Sequence, residues 1–190
     1  KKAAIAVIAA VVIIGGAVIA SVSLEHKPQP TGTTPTTNIK KSSQVLPVGT
    51  NPIHNTSTKT GVSIVAAMVE NNTDPATGKP IADRLQFSIK NSSSQLINNL
   101  EVYYTMTDAK THQSENYYQK LGGLSVAPGQ TKTVFFDNGS APGHYPENKY
   151  SIYRTSPHAV DFTIEVSELG FQPATAHAKK DPGTGEQKNG

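Results

Sequence analysis

Cysteine and tryptophan are both absent from this sequence, and methionine occurs only twice. Without cysteine there is no disulfide framework, no thiol nucleophile, no thiolate metal site and no lipid-modified N-terminal cysteine. Without either residue, a sandwich core pinned in the antibody manner is excluded as well. Hydrophobic residues are scarce, at 36% of 190, and sixteen of them fall within residues 3–20. The remainder must therefore build its core from few apolar side chains, which limits it to one ordinary domain with appendages. Excess positive charge is also missing where it would matter. The whole chain carries +3, yet residues 61–178 hold eight Lys and Arg against eleven Asp and Glu. A nucleic-acid binder concentrates cations on its folded face, whereas here the excess lies in the two ends. No nucleic-acid partner is expected.

What is present begins with "KKAAIAVIAAVVIIGGAVIASVSLEH". Eighteen residues without a polar side chain span roughly 27 Å as a helix, and Val22 and Leu24 extend that toward the ~30 Å of a hydrocarbon core. Lys1 and Lys2 before the run, with Glu25 and His26 after it, orient the N-terminus inward and the rest outward. A cleavable secretion signal is the nearest competitor, because Val18 and Ala20 suit a peptidase site. The apolar run is longer than a usual signal core, which favours a retained anchor over residues 1–24, contacting lipid through residues 3–24.

Residues 25–60 change character. Five prolines among Thr, Ser and Asn, as in "PQPTGTTPTT", cannot hold a helix and offer no apolar face. The expectation is a solvated, Pro/Thr/Ser-rich stalk. Val45, Leu46, Val48 and Ile53 stand out from it, as a short segment either packed on the domain or offered to a neighbour. "LPVGT" has Gly and Thr in the wrong order for a sortase signal and no membrane segment after it.

From Gly61 onward the apolar period is two. Leu85, Phe87 and Ile89 alternate with Gln86, Ser88 and Lys90, and Leu100, Val102, Tyr104 and Met106 share one face. Val160, Phe162, Ile164 and Val166 do the same. Such alternation marks half-buried antiparallel strands. "VSIVAAMVE", "ENYYQKL", "TKTVFFD" and "PATAHA" bring the number to about seven, separated by turn signals such as "DPATGKP", "KNSSSQ" and "APGQ". The predicted fold is mainly β, an Ig-like antiparallel β-sandwich over residues 61–178, with a disordered polar tail over 179–190.

The passage "LQFSIKNSSSQLINNLEVYYTMTDAKTHQ…LGGLSVAPGQTKTVFFDN" resembles the Ig-like extracytoplasmic modules of the FxLYD and CARDB kind, through Asn91, Leu100, Val102, Asp108, Leu124, Pro128, Gly129 and Thr131. The resemblance covers about sixty residues, lacks the FxLYD motif itself, and implies a membrane-attached or secreted module rather than an activity. The architecture is also similar to archaeal type IV pilins, in which an apolar N-terminal helix precedes an Ig-like β domain. That similarity implies self-assembly into a filament with the apolar helix in its core. Against it, two lysines at the helix start would need partners there. The glutamate typical of bacterial pilin helices is also missing from Ala3, Ala4, Ile5 and Ala6.

Catalytic patterns are not evident. No G-x-S-x-G, phosphate loop or EF-hand occurs. His112, His144 and His158 fall in predicted loops without metal-ligand spacing. Glu101, Asp161 and Glu165 lie on polar strand faces. No enzyme, cofactor or metal is expected. The irregular stretch "GHYPENKYSIYR" is the candidate contact surface, with Tyr145, Asn148, Tyr150, Tyr153 and Arg154 as its binding residues for a protein or glycan. The competing reading has these rings covering the open end of a small sandwich. Four sequons, at Asn55, Asn71, Asn91 and Asn138, are N-glycosylation candidates on the outward side. The function expected is a surface-exposed, membrane-tethered binding or accessory module; the filament subunit is the alternative.

Overall fold

A computed structural model describes residues 45–183. The apolar run 1–24, the first part of the linker and most of the polar tail lie outside the described residues. Among the described residues eight strands follow one another: β1 (Val62–Met68), β2 (Leu85–Asn91), β3 (Glu101–Asp108), β4 (Ser114–Lys120), β5 (Thr131–Phe136), β6 (His144–Tyr145), β7 (Val160–Ser167) and β8 (Ala174–Lys180). One short helix, α1 (Ile152–Thr155), precedes β7. The seven expected strands are all present. The two-residue β6 and the single turn of α1 were not anticipated, because neither is long enough to show a period.

The strands form two four-stranded sheets, ordered β1-β2-β5-β6 and β4-β3-β7-β8. All pairings are antiparallel except β5 with β6, which run parallel. Period-two alternation buries one face of each sheet, and the two faces meet in a single core. Phe87, Ile89, Val134 and Phe136 come from the first sheet; Val102, Tyr104, Phe162, Ile164 and Val166 come from the second. Rings stitch the sheets together: Tyr104 meets Phe136 edge-on at 5.4 Å and stacks on Tyr117 at 5.3 Å. Aromatic pairs of this geometry add stabilisation beyond the area they bury.

Turn chemistry follows the sequence closely. Ala127-Pro128-Gly129-Gln130 closes with Gln130 N–H donating to Ala127 O at 3.0 Å, and Gly129 adopts φ +75, as a type II turn requires. Asn91 is fully buried where β2 ends. Its side chain donates to Gln95 O and Val126 O and accepts from Ser93 N–H, so one amide holds two loops. Asp108 does the same for the β3–β4 turn, accepting from Lys110 N–H and Thr111 N–H. Two residues that carried the FxLYD-type resemblance are thus loop organisers.

Residues 45–60 close the expected stalk, within which Val45, Leu46, Val48 and Ile53 stand apart as a segment either packed on the domain or offered to a neighbour. Most of these residues cross the outer face of the second sheet as a strap. Val48 N–H donates to Asn116 O on edge strand β4 at 2.8 Å. Asn51 Nδ2 reaches Glu165 of β7, and Asn55 Nδ2 reaches Ser167 Oγ, Glu168 O and Phe171 O. Gln172 N–H then donates to Lys59 O at 2.7 Å. Gly61 ends the strap at φ +152, where a Cβ would lie 2.6 Å from the Phe171 ring. The strap leaves Tyr103 and Thr105, on the outward face of β3, only partly exposed.

Candidate functional site

The irregular connection between β5 and β7 divides the five residues expected to form a binding surface. Tyr145 and Asn148 are each 8% exposed and Tyr153 is 1% exposed, whereas Tyr150 is 75% exposed. Tyr153 packs edge-on against Phe162 at 5.4 Å and its hydroxyl donates to Val69 O. Tyr145 lies against Phe136 at 5.8 Å. Asn148 Nδ2 donates to Tyr117 Oη at 3.1 Å, and Tyr117 in turn donates to Glu115 Oε2 at 2.6 Å. The same carboxylate accepts from Ile152 N–H at 3.0 Å. Three of the five residues thus pack and fasten the loop rather than present a surface. The physical cause is the scarcity of apolar residues, which draws tyrosine rings into the core and obliges each hydroxyl to find a partner.

Arg154 stands beside this packing. Its guanidinium grips Glu147 at 2.8 Å, donates to Asp83 O at 3.1 Å and covers the Tyr153 ring at 4.5 Å. Burial pushes the Glu147 carboxyl above its usual range, against the opposing pull of Arg154. A neighbouring group joins Arg84, Asp137 and His144. Arg84 pairs with Asp137 and covers the Phe135 ring at 4.1 Å, while His144 Nδ1 lies 2.8 Å from Asp137 Oδ1. Burial works to raise the Asp137 carboxyl, but His144, the Gly139 N–H and Arg84 outweigh it and hold it below the ordinary value. His158 is bound elsewhere, its Nδ1 at 2.9 Å from Asp108 Oδ2. The two histidines therefore serve different carboxylates. Among the described residues no cluster of three or more His, Asp or Glu side chains is placed to hold a metal.

A groove of ≈480 Å³ lies at the opposite end, where β3 begins and β7 ends. The strap forms one wall with Ile53, His54 and Asn55; Glu101, Ser167 and Glu168 form the other, with Asn99 and the 82% exposed Leu169 at the rim. Glu168 Oε2 accepts from Asn99 N–H at 2.8 Å, and Glu101 has Lys120 at 3.8 Å. The volume falls in the range of ordinary ligand pockets, and both carboxylates, Glu101 and Glu168, stand on the wall facing the strap. Sequence reasoning missed this groove. Its only signals were the isolated Ile53 in a polar linker and Leu169 in a turn, and nothing local says that the two meet.

No protein-family model matches the sequence, and no curated protein matches it. Among solved structures it is similar to a β-glucosidase from Listeria innocua, in complex with gluconolactone, at 14% identity and a TM-score of 0.32. The match covers 65% of this chain and 16% of that one, so the chain spans under a fifth of that enzyme's length.

The four sequons separate cleanly. Asn91 is fully buried, and Asn55 is partly buried with its amide nitrogen directed at three oxygen acceptors. Asn71 and Asn138 are exposed.

Proposed function

We propose that this chain is a membrane-tethered, extracytoplasmic binding or accessory module without enzymatic activity, an Ig-like sandwich whose contact surface is the strap groove. The observation that carries the reading is the groove itself, built from Ile53, His54 and Asn55 on one side and Glu101 and Glu168 on the other. Its carboxylates suit a cationic group of a surface protein or amino-bearing glycan, and Leu169 supplies an apolar contact beside them. The tether rests on the sequence alone: eighteen apolar residues with lysines on the inner flank. For the filament alternative, the segment around Val48 would be available to a neighbouring subunit. That segment is bonded to its own β4 edge and β7, which favours the tether.

The test is photo-crosslinking in intact cells. A crosslinking side chain replacing Leu169 is expected to capture an extracytoplasmic macromolecule, and one replacing Tyr150 to capture none. Capture from position 150 alone would move the contact surface away from the groove. Capture of a second copy of the chain from position 169 would support the filament.

A further inference from the structure

We propose that Asn71 and Asn138 are N-glycosylation sites and that Asn55 and Asn91, which carry the same sequon, are not. The inference rests on the extracytoplasmic reading for access to the sugar donor, and on the fold for the choice among four identical motifs. A sequon shows only that a hydroxyl follows two residues after the amide; the fold decides whether the amide nitrogen can be reached.

At Asn91 it cannot be reached. The residue has no exposed surface, and Nδ2 donates at 2.7 Å to Gln95 O and at 2.8 Å to Val126 O. Both amide hydrogens are committed, and a sugar would have to displace the two loops that they hold. At Asn55, Nδ2 is shared among Ser167 Oγ at 2.8 Å, Glu168 O at 3.0 Å and Phe171 O at 2.8 Å, which ties the strap to β7 and to the turn that follows it. A substituent there would detach the strap.

The other two sites are the reverse. Asn71 and Asn138 are exposed, and so are the hydroxyl residues Thr73 and Ser140 that complete their sequons. Both asparagines adopt positive φ, 52 and 60, which sets each in a turn outside the strand ladders. The Asn138 side chain is used through its oxygen, which accepts from Glu147 N–H at 3.1 Å; that contact directs the amide group by its carbonyl. The neighbouring Asn72 does the structural work in its loop, exchanging hydrogen bonds with Arg84 O at 2.9 Å and Arg84 N–H at 3.1 Å, so Asn71 is not needed for it.

The two sites also share one end of the domain. Asn71 follows β1 and Asn138 follows β5, whose last residues Met68 and Phe136 pair with Gln86 and Leu85 at the start of β2. Arg84 joins their loops, through its main chain to Asn72 and its guanidinium to Asp137. Sugars on both would cover this end and leave the strap groove at the opposite end bare. In the transfer, a bond forms between Asn Nδ2 and the anomeric carbon of a lipid-phosphate-linked oligosaccharide. The bond from that carbon to the phosphate oxygen breaks, the lipid phosphate leaves with the electron pair, and the amide proton passes to solvent by way of the transferase.

The experiment is peptide mass mapping of the full chain isolated from its own cells, with protease accessibility of the domain measured on the same intact cells. Sugar on the Asn71 and Asn138 peptides alone is expected. Thr73→Ala and Ser140→Ala should each abolish addition at their own asparagine only, with the circular dichroism spectrum unchanged. A protease-accessible domain without sugar on either peptide, or with sugar on the Asn55 or Asn91 peptide, would overturn the assignment while leaving the tether intact. A domain protected from protease and free of sugar would overturn the assignment together with the extracytoplasmic reading on which it rests.

Discussion

Tyr150 and Tyr153 are separated by two residues and have opposite situations. Tyr153 is packed against Phe162 with its hydroxyl satisfied by Val69 O, whereas Tyr150 projects into solvent. Tyr153→Ala is expected to cost about 3–5 kcal/mol, the range for truncating a buried aromatic, and Tyr150→Ala to stay within about 0.5 kcal/mol. Urea denaturation of both variants checks this, and equal losses would mean that the loop, not the ring, carries the stability. Asp108 makes a pH prediction. Ser156 Oγ–H first, then Thr111 N–H, with His158 and Lys110 N–H, hold its carboxyl far below the usual range against the effect of burial. A depressed acid contributes stability above its unfolded pKa of about 3.9, and that contribution is lost as pH falls below it. Asp108→Asn should therefore lower the melting temperature at pH 7, and the gap to wild type should close on titration below about pH 4. A gap that stays constant through the acid range would remove Asp108 from the explanation of acid sensitivity.

At the scale of elements, the strap is held mainly by the side chains of Asn51, Asn55 and Ser57, with main-chain bonds at Val48 and Lys59. Asn55 alone supplies three of its contacts to the sheet side. Asn55→Ala should release the strap without unfolding the core, because its acceptors on Ser167, Glu168 and Phe171 lie beneath the strap and gain water once it lifts. Trypsin cleavage after Lys59 is expected to accelerate severalfold while the melting temperature moves by only a few degrees. A collapse of the melting temperature would show that the strap belongs to the core. The linker sequence hinted at this element through Val45, Leu46, Val48 and Ile53, but Pro47 and Pro52 interrupt any strand pattern. Edge strand β4 meets the segment at one main-chain bond, too few to leave a period in the sequence.

For the whole domain, two sheets share one core with Phe162, Tyr104 and Phe136 at its middle. Phe162→Asp places an unpaired carboxylate there, which costs several kcal/mol and approaches the total stability of a domain this size. The expected result is a chain without the cooperative thermal transition of the wild type. Retained cooperative unfolding would mean that the site relaxes enough to hydrate the charge.

The residues themselves determined which faces are buried. Period-two alternation in β2, β3 and β7 names the core, because in a strand neighbouring side chains must part to opposite faces. The Pro128-Gly129 turn was legible for a similar reason, since only a few residue types tolerate its dihedrals. Polar status was less informative. Gln86 sits on the predicted polar face of β2 yet is 7% exposed, because Arg84 folds back to bond it. Tyr145 and Tyr153 read equally well as surface or core until the partners across the fold are known. The same holds for the groove and for the choice among four sequons, whose decisive contacts reach across the chain, 35 positions between Asn91 and Val126 and 112 between Asn55 and Ser167. Local sequence encodes dihedral preference and the side on which apolar atoms must lie. Which polar groups lose their water depends on what the rest of the chain lays over them, and only the tertiary structure decides that.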